Sequence, residues 1–162
     1  MTGNGSVKVQ GTSFIVDGNG LEIWCDGVTR WTIDRISEEA LVESVDESYD
    51  SYATNPALMI ASIDNAFREV SFGSSKFGGT VVDTSVLSPV HKGKGSMDIA
   101  GLKLFFKIGT TTLTGAEVTL NDGSVSDFTI TNLKFVEAGK SKESFRFDEK
   151  TLDSSYVVTD LR

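Results

Sequence analysis

The sequence has one cysteine, one histidine and few cations, and each shortage removes a class of function. Cys25 stands alone, so no intramolecular disulfide can form and a disulfide-dependent secreted scaffold is excluded, although an oxidising compartment is not. His91 lies between Pro89 and Lys92, and no serine or cysteine nucleophile stands in a glycine elbow to partner it. It reads as a solvated loop residue, and no enzyme activity or cofactor is expected. Lys and Arg total 15 against 23 Asp and Glu, a net charge of −8, which argues against nucleic-acid binding because phosphates need clustered cations. The same charge disfavours tight docking on an anionic membrane. No window reaches the roughly 18 apolar residues of a membrane span. The longest apolar run, residues 56–61, ends at Ser62 and Asp64, and the opening residues 1–6 are polar, unlike a signal peptide.

What remains is sheet patterning. The 162 residues fit one domain over 1–162, long enough to bury roughly two thirds of the unfolded chain's surface. Val7 and Val9, then Phe14 and Val16, alternate with polar neighbours, and residues 17–20 (Asp-Gly-Asn-Gly) form a dense turn. Leu21, Ile23 and Cys25 alternate with Glu22, Trp24 and Asp26, which places Trp24 on the outer face. Asp26-Gly27 then closes a hairpin onto a strand over 28–33, with Trp31 and Ile33 on one face. A third strand is expected over 40–45.

The period changes once. Asn55-Pro56 supplies a cap and a first-turn proline, and Leu58, Met59, Ile63, Ala66 and Phe67 recur at helical spacing, so a helix is predicted over 56–69. Residues 71–79, small and glycine-rich, read as loop. Strands follow over 80–87, 101–108, 113–120 and 125–136, the last bulged near Asn132, with a closing strand over 156–161. Glu38, Glu39, Glu43, Asp46, Glu47 and Asp50 form a solvated acidic edge whose spacing fits no calcium loop. Cys25 is a small buried hydrophobe. Leu58, Met59, Ile63 and Phe67 admit two readings: a helix closing an ordinary core, or a movable lid over an apolar cavity.

The order of these elements resembles a known family. Trp24-Cys25-Asp26-Gly27 to Trp31, the helix start Asn55-Pro56, the antiparallel strands and the late Phe145-Arg146-Phe147-Asp148 follow one another as in the periplasmic outer-membrane lipoprotein carrier family (LolA-like). The resemblance implies a mainly β fold with some α, an incomplete antiparallel β-barrel whose strongly curved sheet is covered on its concave face by helix. The family's amino-terminal helix and first strand have no counterpart in these residues. It implies a periplasmic carrier that holds the acyl chains of lipoproteins, or a free lipid, in an apolar cavity. The partners implied are an inner-membrane lipoprotein transporter and an outer-membrane receptor. The cavity residues expected are Leu21, Ile23, Trp31, Ile33, Leu58, Met59, Ile63 and Phe67. The alternative is a LolA-like interaction or sensing domain with a filled core. An empty apolar space of several hundred Å3 favours the carrier.

Overall fold

A computed structural model describes residues 3–45, 63–90, 98–137, 140 and 143–162. The chain divides into two compact units, one drawn from residues 1–50, 54–61 and 142–162 and the other from 51–53 and 62–141. The described residues are mainly β, in two sheets with no closed barrel, where the sequence suggested one curved sheet.

The first unit's sheet is a meander. β1 (Gly5–Gln10), β2 (Ser13–Gly18), β3 (Leu21–Cys25), β4 (Thr29–Asp34) and β5 (Glu39–Ser44) pair antiparallel in sequence order. The β2–β3 link is the two-residue loop Asn19-Gly20, with φ of 54° and 82°. That pair of positive angles matches the twist of the flanking strands, and Asn-Gly tolerates it best. Asp26 governs the next link: its carboxylate accepts from the N–H groups of Val28 and Thr29 at 2.9 and 2.8 Å. Asp34 repeats the device after β4, accepting from Ile36 and Ser37 at 2.8 and 3.0 Å. A 3₁₀ turn (Glu149–Thr151) and a final strand β11 (Val157–Asp160) complete the unit. β11 lies parallel to β5, so the sheet is not wholly antiparallel as expected.

The second unit is also a meander. β6 (Phe67–Phe77), β7 (Thr80–Pro89), β8 (Ile99–Lys107), β9 (Leu113–Leu120) and β10 (Val125–Thr129) stand antiparallel in the order β10-β9-β8-β7-β6. Three sequence expectations change here. The predicted helix over 56–69 is one helical turn at 63–66 among the described residues, and Phe67 to Glu69 are extended. Pairing with β7 decides this, with Phe67 opposite Pro89 and Glu69 opposite Leu87. Residues 71–79 are not a loop. They continue β6, and only Gly78-Gly79, with φ of 55° and 79°, turns the chain. Finally, β10 stops at Thr129 rather than near 136, and residues 131–137 carry no strand.

Candidate functional site

In antiparallel pairs, directly opposed residues share a face, so the register assigns every strand side chain. In the first unit Ile15, Trp24, Trp31 and Val42 lie in one row, next to Ile33 and Ala40. This face is closed. Phe147, Leu152 and Tyr156 pack on Trp31, Ile33, Ala40 and Val42, and the Phe147 ring meets Trp24 edge-on with centroids 5.7 Å apart. Polar contacts pin the covering segment. Trp31 Nε1–H donates to Glu149 at 2.9 Å, Arg35 Nη1 donates to the Tyr156 hydroxyl at 3.3 Å, and Lys8 pairs with Glu143 at 2.6 Å. Arg35 also binds Glu22 at 2.7 Å and lies over the Phe147 and Tyr156 rings. That hydrogen bond, with a smaller contribution from Trp24 Nε1–H, holds the Glu22 carboxyl below the usual carboxylate range and raises the Arg35 guanidinium. The opposite face carries Val9, Phe14, Val16, Ile23, Cys25 and Val45, with Phe14 and Cys25 fully buried.

This register separates the expected cavity residues. Leu21 and Ile23 lie on the Cys25 face, whereas Trp31 and Ile33 lie on the Trp24 face. The cause is arithmetic: the hairpin pairs Cys25 with Arg30, so odd residues of β3 face even residues of β4. The four do not share one compartment. Trp24 does lie opposite Leu21 and Ile23, as the alternation required, but it is half-buried under Phe147. Leu58 and Met59 lie outside the described residues, as does His91. Ile63 and Phe67 belong to the second unit, Ile63 half-buried in the helical turn and Phe67 buried at the start of β6.

The second unit presents a different surface. Phe72, Ser85, Leu104, Ala116 and Phe128 form one continuous row across all five strands. Leu87, Leu102 and Val118 form the next row on the same face, and Phe106 flanks the first on its other side. Leu102 is buried; Leu104, Phe106, Ala116 and Val118 are half-buried. Phe72 and Phe128 at the two edges are 63% and 53% exposed. Polar residues interrupt the face: the Ser85 hydroxyl donates to Glu69 at 2.5 Å, Asp83 stands opposite Phe106 and Ser126 opposite Val118. The reverse face is more polar and better knit. There Phe77 stacks on Phe105 with centroids 4.1 Å apart, Lys103 pairs with Glu117 at 2.8 Å, and Ser75 bonds Thr84. An open depression of about 170 Å3 lies against Ser71, Gly73, Ser75, Thr84 and Val86, smaller than an acyl-chain cavity.

An apolar row of this kind solvates hydrocarbon without directional bonds; it carries no chemistry of its own. No three His, Cys, Asp or Glu side chains gather as a metal site among the described residues. The sequence pattern did not single out Phe72, Leu104, Phe106, Val118 or Phe128 as site residues. The alternation of Leu104 with Phe106 and of Ala116 with Val118 carried the signal, but on half-apolar strands it does not tell a core face from an open one. No protein-family model matches the chain, and no curated protein matches it either.

Proposed function

We propose that this protein is a carrier of acyl chains, in which the apolar face spanning β6 to β10 receives the hydrocarbon of a lipoprotein or a free lipid. The observation that carries this reading is the phenylalanine-edged row from Phe72 to Phe128, apolar on four of its five strands and only partly covered. Isolated exposed hydrophobes are ordinary, but a contiguous apolar face marks a binding surface. The energetics suit a carrier. Each buried CH₂ contributes about 0.8 kcal/mol, so burying about eight of them supplies about 6 kcal/mol before ordering costs. The resemblance to the lipoprotein carrier family supports a periplasmic setting, with an inner-membrane transporter as donor and an outer-membrane receptor as acceptor. In that reading the LolA-like fold is an incomplete barrel whose concave side is covered by helix.

A second reading, an interaction domain with a filled core, has one observation in its favour. Phe14, Cys25, Trp31, Ile33 and Val42 in the first unit are all 1% exposed or less, which leaves no room there for a guest.

Titration with a fluorescent fatty acid separates the two. Phe72→Asp and Phe128→Asp change exposed side chains, so stability should move by no more than about 0.5 kcal/mol. Each places a charge where hydrocarbon must lie and is expected to weaken binding at least about tenfold. Wild-type affinity in both folded variants would refute the carrier reading.

A further inference from the structure

Among the described residues the two sheets have four edges, β1, β11, β10 and β6. Exposed edges invite pairing with other chains, and proteins guard them with short strands or charge. Three of these edges are guarded. β11 has four residues and ends in Asp160, β10 has five with Asp127 at its centre, and β1 carries Lys8 in an ion pair with Glu143. β6 is different. It runs for 11 residues with Arg68, Glu69 and Lys76 toward its ends and a bulge at Val70, but between them Ser71-Phe72-Gly73-Ser74-Ser75 contains no charge and no proline. Residues 68–74 are exposed, and no described backbone group beyond β7 pairs with this edge.

Gly73 adds a shape. A side chain built there would meet no atom within 4 Å, and the depression of about 170 Å3 opens beside it, floored by Thr84 and Val86. We propose that the edge of β6 accepts an extended segment of a partner protein, which adds a strand to the sheet and seats one large apolar side chain opposite Gly73. Backbone hydrogen bonds supply affinity in strand addition, and side-chain pockets supply selectivity. An aromatic side chain opposite an edge glycine restores the packing that the glycine lacks.

The same geometry argues against a second copy as the occupant. Residues opposed across a two-fold antiparallel pair must share a face, and in the unbulged part of β6 the face of Gly73 offers Ser71, Gly73, Ser75 and Phe77. The first three are too small to fill the depression. Phe77 reaches it only when the strands overlap from Gly73 to Phe77, which leaves most of both edges bare. Two molecules of charge −8 also repel one another.

The test uses a fluorescein-labelled nine-residue peptide of alternating threonine and valine, capped at both ends, with phenylalanine at its centre. Fluorescence anisotropy should show saturable binding to the full chain, weakened about tenfold when the central phenylalanine becomes alanine. Gly73→Val fills the depression in a conformation that suits a strand, so it should melt no lower than wild type. It should bind both peptides equally and still bind fatty acid, which keeps this proposal separate from acyl carriage. As a readout independent of the variant, backbone amides of residues 71–75 should exchange more slowly once peptide is added. Any of three results would overturn the proposal: no saturable binding, unchanged exchange at 71–75, or a concentration-dependent dimer that the peptide does not displace.

Discussion

Gly115 shows how one absent methyl group organises a face. A Cβ there would collide with the Phe77 ring and lie 2.8 Å from the Phe128 carbonyl oxygen. Only a hydrogen lets Phe77 lie flat on Phe105. Gly115→Ala should therefore destabilise the protein by about 1–3 kcal/mol, read from denaturant midpoints, by forcing the ring off its stack. At the other unit, Glu22 makes an acid-sensitive contact. Its pKa is lowered in the folded state, so the unfolded chain binds more protons over the window just below the ordinary value of 4.5. Stability from this group is present above that window and is lost as pH falls through the folded pKa. Glu22→Gln should flatten the dependence of melting temperature on pH as the pH falls below the ordinary value of 4.5. An unchanged slope would mean that the Arg35 contact contributes nothing to folding.

At the scale of elements, the segment from 143 to 156 is a strap over the Trp24 and Trp31 face, and Phe147 is its apolar anchor. Phe147→Ala should cost about 3–5 kcal/mol and shift tryptophan emission to the red, because both tryptophans of the chain lie under it. Alternation predicted the strand pattern of Leu21–Cys25, Leu113–Leu120 and the residues flanking Asn19-Gly20, because period-two patterning and turn chemistry agree there. It misread β6 because Ser, Gly and Ser have weak strand preference, and pairing with β7 overrides that local preference. It predicted a helix past Ala66 because Phe67 and Glu69 fit helical and strand spacing equally well. It grouped Trp31 with Leu21 because the parity of a hairpin follows from the turn register, here set by Asp26, and alternation alone does not carry it. Leu21 and Ile23 therefore lie on the face opposite Trp31 and Ile33, and the row of β6 to β10 was present in the sequence only as unranked alternation.

The chain has a net charge of −8, which disfavours anionic surfaces, and one of its sheets presents exposed apolar side chains. Those two properties suit a protein that takes hydrocarbon from a membrane and leaves with it: repulsion limits lingering, and desolvation retains the cargo. Raising the salt concentration should lengthen its residence on anionic vesicles while leaving acyl affinity nearly unchanged, because screening weakens only the repulsion. Acyl contact itself is read most directly by photo-crosslinking a palmitoylated peptide that carries a diazirine midway along its chain, followed by peptide mapping. The account predicts crosslinks at Phe72, Leu104, Phe106, Val118 and Phe128, competed away by unlabelled palmitate. Crosslinks confined to the first unit, or none that palmitate displaces, would contradict it.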